Sequence, residues 1–172
     1  IEDAFLMFND LFNTELDFMI GQFQVSDPLF KRELRLTFDD YIIYTIRPGY
    51  SNINLAYDRG VIFNYGLDTG TNINFQVLNG TGIGGTSSFR TFDDDKYKNV
   101  FAAVSQDIGE QFRLGVSGYY GNELINNPDT VYSATNELWM AGVDASVAFG
   151  PLELNLQYVE RRDKNPYAYF ES

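Results

Sequence analysis

The chain has no cysteine and no histidine among its 172 residues. Without thiols there is no disulfide framework and no thiolate metal site. Without imidazole, the commonest general base and the commonest transition-metal ligand are missing. Proline occurs only 5 times. No apolar run approaches the roughly 18 residues of a membrane-spanning helix. Bases are scarce, 12 Lys and Arg against 24 Asp and Glu, for a net charge of −12. A surface that binds phosphate backbones must be basic, so nucleic acid is excluded as a partner. No activated-nucleophile motif is present. Without these groups no cofactor is expected, and neither is an enzyme. The chain starts at Ile1 rather than at Met, which suggests a signal peptide removed or lying outside this segment.

What is present is aromatic and glycine-rich: 15 Phe, 12 Tyr, 1 Trp and 15 Gly. These residues favour strands and turns. The dominant pattern is alternation with a period of two, the signature of a strand whose faces meet different surroundings. Over 72–78, Ile73, Phe75 and Val77 oppose Asn72, Asn74 and Gln76. Over 112–120, Phe112, Leu114, Val116 and Tyr120 oppose Arg113, Gly115, Ser117 and Tyr119. Over 139–149, Trp139, Ala141, Val143, Ala145, Val147 and Phe149 oppose Gly142, Asp144 and Ser146. Over 152–158, Leu152, Leu154, Leu156 and Tyr158 oppose Glu153, Asn155 and Gln157. Val61, Phe63, Tyr65 and Leu67 oppose Asn64 and Gly66, and less regular patterns at 2–10, 16–25 and 97–108 complete a set of eight expected strands.

The expected connections alternate between short (11–15, 68–71, 107–111, 150–151) and long (26–58, 79–96, 122–137). Tight periplasmic turns and long external loops give this layout in outer-membrane barrels. A soluble sandwich or lipocalin-like barrel also alternates. Against it, the polar faces carry Asn, Gln, Ser and Gly more than Lys and Glu, as a channel lining would. Tyr97, Tyr119, Tyr120, Tyr158, Tyr167, Tyr169 and Phe170 cluster near strand ends, as an aromatic girdle would. The expected fold is all-β, an antiparallel transmembrane β-barrel, with residues 1–172 forming one partial domain. Placing the short turns in the periplasm puts both chain ends outside, whereas complete barrels end inside. Eight strands would then be part of a larger barrel of roughly 16, the size that leaves an aqueous channel.

Candidate chemistry is thin. Gly80-Thr81-Gly82-Ile83-Gly84-Gly85 fits G-x-G-x-x-G after a strand, but Thr86-Ser87-Ser88-Phe89 does not read as the helix a dinucleotide site needs. Asp93, Asp94 and Asp95 form a solvated acidic loop or a loose divalent-cation site without EF-hand spacing. The connection 26–58 stands out. Ser26-Asp27-Pro28 is a helix start. Lys31, Arg32, Arg35, Arg47 and Arg59 concentrate there, balanced by Asp27, Glu33, Asp39, Asp40 and Asp58. A loop this long is usually functional, and inside a pore its bases would form a constriction that favours anions. The alternative is that they pair with the local acids and stiffen the loop. Arg113 and Asp144 are the charged residues expected on the barrel-lining face.

Leu16-Asp17-Phe18-Met19-Ile20-Gly21-Gln22-Phe23-Gln24-Val25 resembles the "LRxGQFKxP" strand of the phosphate-selective porin O and P family. Leu36-Thr37-Phe38-Asp39 is similar to its "LTFxE" segment. Tyr57-Asp58-Arg59-Gly60-Val61 is similar to its "RDxGV" step with Asp and Arg exchanged, and Val77-Leu78-Asn79-Gly80 to its "GVxNG". Residues 113–122, 142–145 and 150–154 resemble its later strands. Val25-Ser26-Asp27 replaces the usual Val-Pro-Phe. The resemblance implies a 16-stranded outer-membrane channel, often for anions.

The function expected is therefore a porin-like channel for passive diffusion of small solutes, anions among them, in the bacterial outer membrane. The alternative is a structural barrel wall or docking component of an outer-membrane complex. Expected partners are outer-membrane lipids and small solutes; a homo-oligomer and a larger protein complex are both open. Phe75, Val77, Leu114, Val116, Val143, Val147, Leu154 and Leu156 should share the lipid face. Asn74, Gln76, Arg113, Asp144, Asn155 and Gln157 should share the lumen face.

Overall fold

A computed structural model describes residues 4–25, 57–80, 96–126 and 133–165. Of the sequence features above, Lys31, Arg32, Arg35, Arg47, the acidic run 93–95, residues 81–85 of the glycine motif, Tyr167, Tyr169 and Phe170 lie outside them.

The alternating segments form strands: β1 (Ala4–Phe8), β2 (Leu16–Gln24), β3 (Tyr57–Gly66), β4 (Thr71–Leu78), β5 (Asn99–Ile108), β6 (Phe112–Asn126), β7 (Ser133–Phe149) and β8 (Leu152–Asp163). They make one 8-stranded antiparallel sheet in sequence order, each strand paired with the next. Among the described residues no ladder joins β1 to β8, so the sheet is open with those two strands at its edges. A 3-10 turn at Leu11–Asn13 links β1 to β2. The other tight connections fall at 67–70, 109–111 and 150–151.

Several strand ends shift by a few residues from expectation, and two of the shifts matter for the site. β3 starts at Tyr57, inside the segment expected to be loop. The long connection expected at 122–137 is largely strand. Asn122 pairs with Glu137, and the ladder runs on to Asn126 and Ser133. The sequence Asn122-Glu123-Leu124-Ile125-Asn126 does not alternate between apolar and polar residues.

Register places the side chains. Cross-strand neighbours point to the same face, and successive residues point to opposite ones. Phe63–Phe75–Ala102 and Val116–Val143–Tyr158 are rungs of one face. Asn64–Asn74–Ala103–Ser117 and Gly115–Asp144–Gln157 are rungs of the other. The eight apolar and six polar residues assigned above to opposite faces fall as expected. The first face, here called outer, is apolar and open: Leu114, Val116, Val143, Leu154 and Leu156 are 51–58% exposed. Its rings stack across strands, with Phe18 5.2 Å from Phe63, 6.1 Å from Phe8, and Phe112 edge-on to Phe149 at 6.0 Å.

The core lies on the opposite, inner face. Phe23, Val25, Ile62, Leu78, Phe101, Tyr119, Leu138 and Met140 are buried in one cluster. The cluster sits toward the strand ends that carry the longer connections.

Candidate functional site

The inner face falls into two halves. Its packed half contains polar groups that are almost fully bonded. Asn99 is completely buried on β5. Its Nδ2 donates to the Tyr119 hydroxyl at 2.9 Å, and its Oδ1 accepts from the Asn122 N–H at 2.8 Å. A Cβ at Gly80 or Gly121 would overlap the Asn99 carboxamide, so both glycines make room for it; Gly80, at φ +87, also has a backbone that disfavours a side chain. Asp58 is buried on β3, and its carboxylate accepts the Gly80 N–H at 2.8 Å and the Arg59 N–H at 2.7 Å. At the β7–β8 end, Arg161 grips Asp163 through two donors at 2.7 and 2.6 Å, and Asn136 Nδ2 donates to the same carboxylate at 2.6 Å. Buried polar groups are tolerated only when bonded in this way.

The second half, nearer the tight turns, is polar and less filled. Asn64, Asn72, Asn74, Ser105, Arg113 and Asp144 line a cavity of about 80 Å³, with Phe101, Ala103 and Val116 among its apolar walls. Asp144 reaches across to β6, and its carboxylate occupies the space a Cβ at Gly115 would take. Arg113 is in register with Asp107 on β5 and with Ser146 on β7, two residues from Asp144. By register Arg113 lies between a strand carrying Asp107 and one carrying Asp144.

Strand alternation sorts the charges. Asp17, Asp58, Asp107, Glu123, Asp144, Glu153 and Asp163 fall on the inner face with Arg113 and Arg161, and Arg161 is already tied to Asp163. The inner face of the described sheet is therefore acidic. Such a wall attracts cations and repels anions.

The expected constriction residues separate. Arg113 and Asp144 share the inner face and one cavity. Arg59, expected at a lumen mouth, does not join them. It is in register with Gln22, and its Nε donates to Gln22 Oε1 at 3.0 Å. Two residues along the same strand face comes Val61, so Arg59 belongs to the outer face. The cause is the earlier start of β3, which makes Arg59 part of the strand rather than of a loop free to turn inward. Lys31, Arg32, Arg35 and Arg47 lie outside the described residues. Tyr119, expected in an aromatic girdle, is instead buried on the inner face against Asn99. Tyr120 and Tyr158 are on the outer face, 48% and 63% exposed. Trp139 joins them there with the Arg162 guanidinium 5.4 Å from its ring centre.

Sequence reasoning missed the inner apolar residues Met19, Ile62, Phe101 and Met140. In Val61-Ile62-Phe63 both faces are apolar, which cancels the alternation. The available signal was that interruption itself: a run of apolar residues inside an alternating strand marks burial on both sides.

No family model, curated protein or solved structure matches the chain.

Proposed function

We propose that this chain is a wall section of an outer-membrane β-barrel channel that admits small solutes by passive diffusion. The carrying observation is the outer face, where a continuous apolar surface remains exposed along antiparallel strands joined in sequence order. In water such a surface would drive aggregation. In lipid it is the surface required, because the strands satisfy one another's backbone groups. The open edges at β1 and β8 call for further strands in the membrane, in keeping with a barrel of roughly 16. The resemblance to the phosphate-selective porin family agrees with a channel. The acidic inner wall does not favour its anion preference, so cations are the better-matched solutes.

The second reading, a non-conducting barrel wall within a complex, draws on the packed half of the inner face, which fills space that a wide pore would leave to water. Planar-bilayer recording of the full-length protein separates the two. A channel shows stepwise conductance and, under a salt gradient, a reversal potential of the sign for cation preference. Asp144→Asn should lower that preference and Arg113→Gln should raise it. Correct insertion without conductance would leave the structural wall, and anion preference in the wild type would defeat the charge assignment.

A further inference from the structure

Arg161 is tied to Asp163, Arg162 to Glu160 and Lys164 to Glu137. Arg113 and Asp144 are different. Among the described residues, no ion pair or side-chain hydrogen bond holds either of them. They are close by register: Asp144 is opposite Gly115 on β6, and Arg113 is two residues from Gly115 on the same face. Both line the cavity of about 80 Å³, and the Asp144 carboxylate lies over Gly115, another of its walls. Each side chain is half-buried. A half-buried charge without a protein partner is open to a solute that can supply one.

The other described walls of this cavity are neutral. Asn72 and Ser105, opposite one another on β4 and β5, offer a carboxamide and a hydroxyl that can donate and accept. Phe101 and Ala103 add an apolar stretch on the same face. The space suits several waters or one solute of a few heavy atoms.

Resting on the channel reading, we propose that this cavity is a subsite for small zwitterions, namely α-amino acids with a short alkyl side chain. The α-carboxylate takes the planar donor fork of Arg113. The ammonium donates to the Asp144 carboxylate, with Asn72 and Ser105 as further acceptors in the same wall. The alkyl group covers Phe101 and Ala103. A simple anion gains from Arg113 and is repelled by Asp144; a simple cation meets the reverse. Two separate ions would satisfy both charges, but each would lose its own freedom. In one molecule the second contact forms at high effective concentration.

The test uses four solutes of nearly one size that differ in charge: alanine (zwitterion), lactate (anion), alaninamide (cation at mildly acidic pH) and lactamide (neutral). Full-length protein in lipid nanodiscs is titrated with each, and binding is read by saturation transfer to the solute methyl group in NMR. Alanine should respond saturably and be displaced by glycine. Lactate and lactamide should bind at least about fivefold more weakly, the share of one charge contact in a half-exposed site. Alaninamide, drawn to the acidic wall at large, should respond without saturating. Asp144→Asn should weaken alanine by about fivefold and bring lactate level with it. Arg113→Gln should weaken alanine likewise and make alaninamide the saturable ligand. Lactamide binding as well as alanine, or both variants weakening alanine without changing the order of the solutes, would overturn the assignment. If a variant does not insert, the wild-type order decides: alanine first supports the subsite, and any other solute first defeats it. Conductance of the same protein in planar bilayers keeps the two readings apart. A conducting protein with no saturable alanine response sinks the subsite alone; a saturable response without conductance supports the subsite and sinks the channel.

Discussion

The two halves of the inner face are built by the same strands, yet one behaves as a core and the other as a lining. Along β5, Phe101 is buried at 3% exposure, whereas Ser105, four residues further on, is only half-buried. Along β7, Leu138 and Met140 are buried, and Asp144 and Ser146 are not. No change of secondary structure separates them. What changes is the company: large apolar side chains from neighbouring strands converge in one half, and carboxamides, hydroxyls and carboxylates converge in the other. A β-sheet face is therefore not one environment, and substitutions on it should differ by half as much as by face.

The largest effect should come from breaking the packed half. Phe101→Ala removes a buried ring from the cluster and should cost about 3–5 kcal/mol, read as a fall in the denaturant midpoint of the inserted protein. Asn155→Ala in the open half should change the same midpoint by less than about 0.5 kcal/mol. Equal losses would erase the distinction between the halves.

Next comes the contrast between faces at adjacent residues. Leu154→Arg places a charge on the outer face and should cost about 2–4 kcal/mol if that residue sits near mid-bilayer. Asn155→Arg, one residue on and facing inward, should be close to neutral. Comparable costs in vesicle-based unfolding would remove the assignment of the outer face to lipid.

A smaller loss is expected at Asn99. Asn99→Ala strands the Asn122 N–H and the Tyr119 hydroxyl in a buried site, at about 1–3 kcal/mol. Because Gly80 and Gly121 are shaped around this carboxamide, Asn99→Asp should fit the space and still lose stability, since burying a carboxylate there is unfavourable. Unfolding midpoints of the two variants decide the point.

The smallest effect belongs to the rim. Lys164, just beyond β8, donates to Glu137 at 2.8 Å, and that hydrogen bond raises its pKa above the ordinary lysine value. A raised pKa means that the bridge contributes at neutral pH and is lost only as pH climbs through the raised value. Both groups are solvated, so Lys164→Met should shift the unfolding midpoint barely at all. A clear loss at neutral pH would mean that the rim is coupled to the packed half.

Much of this was legible in the sequence where one face is apolar and the other polar. The strands at 72–78, 112–120, 139–149 and 152–158 and the facing of their residues follow from alternation. It was not legible where both faces resemble each other. In Asn122-Glu123-Leu124-Ile125-Asn126 polar and apolar residues do not alternate, and Val61-Ile62-Phe63 is apolar on both sides. Arg113 and Asp144 could be placed on the inner face because they interrupt apolar runs at fixed spacing. Arg59 could not, because its side depends on where β3 begins.

By itself the sequence determined an all-β chain, the position of its tight turns and the division of most residues between two faces. These are local properties: a period of two reads the pleat of a single strand and needs no knowledge of its neighbours. Only the tertiary structure decided that the sheet is open among the described residues, that Tyr119 is packed inward, and that Asn99 fills the space left by two glycines. Those features arise from side chains far apart in the chain meeting across strands, and their register and distance are set by the assembled sheet.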